Sequence, residues 1–75
     1  MTRDIGKNIT KLREERGWSR YRLAVNSGVS FSYINALEEN EHSPSIEVLD
    51  KIAFGLGVEL FQLIETIDEG EIINK

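Results

Sequence analysis

The chain has 75 residues, no cysteine and a formal net charge of −4 at pH 7. That length makes a single domain, one that hides only roughly 60% of its unfolded surface, and the missing cysteines exclude disulfides and thiolate metal sites. The first residues, MTRDIGKNITK, are charged and hold no apolar signal segment, and no run approaches the ~20 apolar residues of a membrane span, so the expected setting is the cytoplasm, away from any membrane.

Ile5, Ile9 and Leu12 recur at i, i+4 and i+7 and mark a first helix, which Gly17 ends as a left-handed cap, with Trp18 placed to fold back on it. Ser19 is an N-cap for a second short helix whose inward residues are Leu23 and Ala24. Gly28 stops it. Ser30 caps a third helix, in which Ile34 and Leu37 point inward together with Val29 from the turn. After a polar loop, Asn40 to Pro44, Ser45 caps a fourth helix with Ile46, Leu49, Ile52, Ala53 and Leu56 inward as far as Gly57. Leu60, Phe61, Leu63 and Ile64 form a short fifth. With no strand alternation and no internal repeat, the pattern predicts an all-α bundle of five helices over residues 1–66 and a short tail, 67–75.

The net charge hides an asymmetry. Residues 1–35 hold seven basic residues (Arg3, Lys7, Lys11, Arg13, Arg16, Arg20, Arg22) against three acids, whereas residues 36–75 hold Lys51 and Lys75 against ten acids. One end is therefore suited to face phosphate and the other to repel it, although two oppositely charged solvated faces produce the same pattern.

The third helix is readable by geometry. Counting roughly 100° per residue from Phe31, Ile34 and Leu37 fall near about 270°, and Ser32, Asn35, Ala36 and Glu39 fall on the opposite side. This outward face is small and polar. Side chains of that kind near a helix N-terminus suit a major groove, where Asn pairs with adenine in bidentate fashion and Ser serves either base type. A helix facing only solvent shows such a face as well.

In order, the segments IGKNITKLREERGWS, LAVNSGVS, SYINALEEN and SPSIEVLDKIAFGLGV resemble the lambda-repressor/Cro-like (Xre) helix-turn-helix family of bacterial and phage regulators, over residues 5 to about 64. The likeness is carried by Arg13, Leu23-Ala24, Gly28-Val29-Ser30, Tyr33-Ile34, Leu37-Glu38, Pro44-Ser45 and Leu56-Gly57-Val58. The resemblance implies that the third helix is the recognition helix, with Phe31, Ser32 and Asn35 where the family reads base edges. Phe31 is unusual there: it suits a thymine methyl and cannot read guanine as Arg would, and packing on Trp18 or Tyr21 is its alternative. The resemblance also implies phosphate contacts for Arg20, Ser30, Tyr33 and Ser43, and a semi-buried structural ion pair between Arg13 and Glu38. Phe61, Leu63, Ile64 and Ile67, with Ile72 and Ile73, exceed the apolar surface that a monomer of this size hides and predict a dimer contact, which the resemblance likewise places around the fifth helix; folding back of part of this cluster on the core is the alternative.

Glu39 departs from the family, in which a basic residue often follows the glutamate of the third helix; on the outward face it would meet phosphate with the wrong sign. No catalytic constellation is present in the sequence: His42, the only histidine, has no evident partner in its loop, and the carboxylates form no ligand spacing, so neither an enzyme, a cofactor nor a metal is expected. The expected function is a sequence-specific, double-stranded DNA-binding transcriptional regulator, a homodimer on a pseudo-palindromic operator. The rival is an antitoxin or regulator-antagonist module that keeps the fold and holds a basic protein partner with its acidic half.

Overall fold

The computed structural model describes residues 5–64, which form five helices: α1 (Ile5–Glu15), α2 (Arg20–Ser27), α3 (Phe31–Glu38), α4 (Ile46–Leu56) and α5 (Leu60–Ile64). Three helix starts and three helix ends have a clear local cause. Ser19, Ser30 and Ser45 are extended N-caps whose hydroxyls accept from the backbone N–H groups of Arg22, Tyr33 and Val48. At the other ends, Gly28 and Gly57 adopt the left-handed conformation and return their N–H groups to helix carbonyls, Ala24 and Phe54 among them. Gly17, with φ of 70°, turns the chain after α1, and the Trp18 N–H then donates to the Arg13 carbonyl.

The core is one cluster drawn from all five helices. Ile9 of α1, Leu23 and Ala24 of α2, Ile34 and Leu37 of α3, Leu49, Ile52, Ala53 and Leu56 of α4, and Leu63 of α5 are buried together, with Val29 from the turn. Removing this apolar surface from water is the main stabilising term in a domain so small. Buried Asn8 adds a polar tie, its Nδ2 donating to the Leu63 carbonyl at 2.6 Å, so the last helix is fastened to the first. Arg16 works similarly at α4, donating from Nε to the Leu56 carbonyl at 2.9 Å, where a cation also meets the negative end of the helix.

One inward assignment and one dimer-contact assignment change. Ile46 lies in the first turn of α4 at the edge of its apolar arc and is 61% exposed, leaving Leu49 as the first core residue of that helix. Leu63 is 0% exposed because α5 packs that side against α1 and α4, which removes it from the surface residues available to a second chain. Phe61, two residues earlier, is 61% exposed and Ile64 is half-buried. Ile67 and the tail, 67–75, lie outside the described residues.

Close backbone approaches fix how α2 meets α4 and how α1 meets α3. A Cβ on Gly55 would stand 2.8 Å from both Cα and Cβ of Ser27, and one on Gly6 would collide with the Leu37 carbonyl oxygen. Both neighbours lie on packed helices with little room to yield. Gly55→Ala should therefore destabilise the fold by about 1–3 kcal/mol, measured as a lowered urea midpoint at unchanged slope; an unaltered midpoint would mean that α2 and α4 can separate without loss.

Candidate nucleic-acid interface

Helices α2 and α3 are joined by a turn that the sequence specifies closely. Ser27 Oγ donates back to the Leu23 carbonyl at 2.8 Å and accepts from the Val29 N–H at 3.3 Å, Gly28 supplies the left-handed residue, and Ser30 begins α3. Val29 fills the corner from inside. The N-terminal end of α3 is thereby held at the surface, with Phe31 and Ser32 exposed and Asn35 half-buried one turn further along.

The other end of α3 is fixed by a buried carboxylate. Glu38 has a side chain with 0% exposure, and its Oε2 accepts from Arg13 Nε at 2.7 Å. Its Oε1 accepts from Thr10 Oγ1 at 2.8 Å, Arg13 Nη2 at 2.9 Å and Arg20 Nε at 2.9 Å. Arg13 thus grips both oxygens in the bidentate manner of guanidinium and carboxylate, and it also donates from Nη1 to the Trp18 carbonyl at 2.7 Å. Burial pushes the Glu38 carboxyl upward, but the bonds from Arg13 and Thr10 and the charges of Arg13 and Arg20 outweigh it and hold the group below its ordinary value.

Arg20, expected at phosphate, is engaged within the protein. Besides Glu38, its Nη1 donates to Asn35 Oδ1 at 3.0 Å and its Nη2 to Glu39 Oε2 at 3.1 Å. The bond to Glu39 leads the influences that raise the Arg20 pKa. Glu39 is therefore half of an ion pair, which reduces its repulsion of an approaching anion. A guanidinium has more donors than these three bonds use, so the same side chain keeps the capacity to meet phosphate.

The remaining expected contacts take different positions. Ser30 is exposed, and although its oxygen caps α3, its O–H remains a donor. Tyr33 is half-buried, packed on the core with its ring 5.4 Å from that of His42, and Ser43 is exposed in the following loop. Phe31 meets Tyr21 edge-on at 6.2 Å and remains 46% exposed, so packing and accessibility coexist in it. The inward/outward reading of α3 could not show Thr10 joining Glu38, nor Arg22 lying 5.4 Å over the Trp18 ring. Phe54, which that reading left out, is 83% exposed on α4; its position away from the arc of Leu49, Ile52, Ala53 and Leu56 was the available signal.

With this geometry, the helix-turn-helix family profile HTH_3 matches residues 9–63. The chain belongs to the helix-turn-helix family. It is 43% identical over 58 residues to the HTH-type transcriptional regulator SutR of Escherichia coli strain K12, covering 77% of this chain and 33% of that protein. It is 38% identical over 68 residues to the HTH-type transcriptional regulator SinR of Bacillus licheniformis, covering 89% and 61%. The chain spans less than two thirds of the length of both relatives. The crystal structure of SinR, the master regulator for biofilm formation, in complex with DNA matches with a TM-score of 0.75 and 38% identity, covering 79% of this chain and 95% of that one. Among the described residues no helix is long and apolar enough to cross a membrane.

Glu38 sets an acid limit on the fold. Because its folded pKa lies below its unfolded value, the unfolded chain binds more protons between the two, so this stabilisation is complete above the unfolded pKa and is lost as pH falls through the folded one. Urea midpoints should decline below about pH 4.3. Glu38→Gln should be less stable at neutral pH and show a shallower decline; an equally steep acid limb in that variant would assign the loss to other carboxylates.

Proposed function

We propose that the chain is a sequence-specific, double-stranded DNA-binding transcriptional regulator, with α3 entering the major groove by its N-terminal end. The observation that carries this reading is the exposed N-terminal end of α3, with polar Ser32 there and half-buried Asn35 one turn further along, held by the buried Glu38 carboxylate. Ser32 and Asn35 read base edges, and Phe31 packs on a thymine methyl. Ser30, Tyr33, Ser43 and the unused donors of Arg20 engage phosphate, positioning the helix without reading sequence. The DNA-bound state of the similar SinR structure supports the choice of ligand.

Selection of bound duplexes from a random pool should yield a defined site. On that site Ser32→Ala and Asn35→Ala should each cost roughly 1–3 kcal/mol while non-specific binding stays nearly intact, read by titration against selected and scrambled duplexes. Equal losses on both duplexes would remove the residue from base reading. Failure to retain any duplex would favour the rival module, which the acids Glu39 and Glu41 beside α3 suit.

The working form we propose is a homodimer on a pseudo-palindromic operator. Phe61 is an exposed aromatic on α5, half-buried Ile64 follows three residues later, and Leu63 is reserved for the core. Exposed apolar surface of this kind favours a two-fold contact, which would set two α3 tips into major grooves about 34 Å apart. Sedimentation should show a dimer that the double substitution Phe61→Glu, Ile64→Glu converts to monomer, with weakened operator binding. A variant that remains dimeric and binds normally would place the interface elsewhere.

A further inference from the structure

We infer that Arg20 is a positioning residue for base recognition: it locks the Asn35 carboxamide so that the Nδ2 donor is offered to a hydrogen-bond acceptor on a base edge. The inference rests on the DNA-binding reading above and deepens it, by naming the chemical group that Asn35 selects.

The argument begins with the amide. A free carboxamide can rotate to exchange its oxygen and nitrogen, and a reader that does so accepts from one base as readily as it donates to another. Asn35 is denied that freedom. Arg20 Nη1 stands 3.0 Å from Oδ1, and because a guanidinium has only donors, rotation would set N–H against N–H. The orientation is therefore dictated by the chemistry of the neighbour.

Arg20 can impose this because it is itself held. Its Nε is bonded to the buried Glu38 carboxylate and its Nη2 to Glu39, so the plane of the guanidinium is fixed at two further points before it reaches Asn35. Glu38 is in turn fixed by Arg13 and Thr10 of α1. A chain of charge-assisted bonds runs from the interior of the domain to the one half-buried amide on the outward face of α3. Lysine could supply the charge of Arg20 but has no planar fork with which to bridge three acceptors.

The consequence is selective. With Nδ2 as the free donor, the contacted base must present an acceptor in the major groove: N7 of a purine, O6 of guanine or O4 of thymine. Cytosine presents only its N4 amino group there and is refused. Adenine fits most fully, since its N6 amino group can use the second lone pair of Oδ1 while its N7 accepts from Nδ2.

Two measurements test this independently. In the free protein, side-chain amide relaxation should give Asn35 Nδ2 an order parameter near that of rigid backbone, about 0.85, falling below about 0.6 in Arg20→Lys. A mobile Asn35 amide in the parent, or one just as rigid in Arg20→Lys, overturns the inference whether or not the protein binds DNA. In duplex selection, Asn35→Ala should abolish the preference at one base position. Arg20→Lys should reduce discrimination at the same position by about tenfold, and the double variant should lose no more there than Asn35→Ala alone. Should Arg20→Lys weaken every duplex alike while keeping the base preference, Arg20 is a phosphate contact only and the inference fails. Asn35→Asp provides a further reading if Arg20→Lys does not fold. It keeps an acceptor for Arg20 but removes the donor, so the preference at that position should move toward cytosine, and a retained parental preference overturns the inference. If the parent selects no sequence while its Asn35 amide is rigid and loosens in Arg20→Lys, the DNA-binding reading fails and takes the base-recognition role with it, and only the lock of Arg20 on the amide stands.

Discussion

The Glu38 carboxylate is the constraint on which the rest of the surface geometry depends. It is removed from water at the end of α3, a placement that would be costly unless its lone pairs and charge were met. Thr10 and Arg13 meet them from α1 and Arg20 from α2, so a single group couples three helices. Apolar packing of Ile34 and Leu37 holds α3 against the core but is tolerant of small rotations; directed bonds to a buried anion are much less so. For a helix that must present a few atoms at fixed positions, that difference in tolerance is what matters.

The same network resolves the apparent conflict between an acidic α3 end and an anionic ligand. Glu38 and Glu39 stand side by side in sequence, yet Arg13 and Arg20 stand against them in space. Locally the two carboxylates are balanced by two guanidinium groups, and the surplus of acids in the second half of the chain comes from Glu41 and later positions in the sequence. At physiological ionic strength such fields decay over about 8 Å. The net charge of −4 is therefore a poor guide to the potential at the α3 tip.

Much of the fold was legible because most boundaries are announced locally: three serine caps, three left-handed glycines and an apolar residue every three or four positions need no tertiary information. Errors arose where neighbours decide. Ile46 has the right character but lies in the first turn, beyond the reach of the core, and Leu63 belongs to a helix too short for periodicity to say which of its apolar residues turns inward. Gly6 and Gly55 look like weak points within helices, and only the approach of Leu37 and Ser27 explains them.

The positions of the candidate residues on α3 were legible in the sequence, and the bonds among them were not. A helical wheel places Ser32, Asn35 and Glu39 on one face of α3, and the spacing of Arg20 marks the start of α2, but nothing in either pattern says that these elements share bonds. The link is made by the turn at Gly28, which brings residues fifteen and nineteen positions apart within 3.0 and 3.1 Å. On the proposed reading Arg20 has two demands on one guanidinium: to stay on Asn35 and orient the amide, and to offer its other donors to a phosphate. The fork of five N–H groups makes these compatible, which a lysine ammonium could not. On this account arginine at position 20 is required by geometry more than by charge, and the recognition surface begins inside the domain, at the carboxylate that no ligand touches.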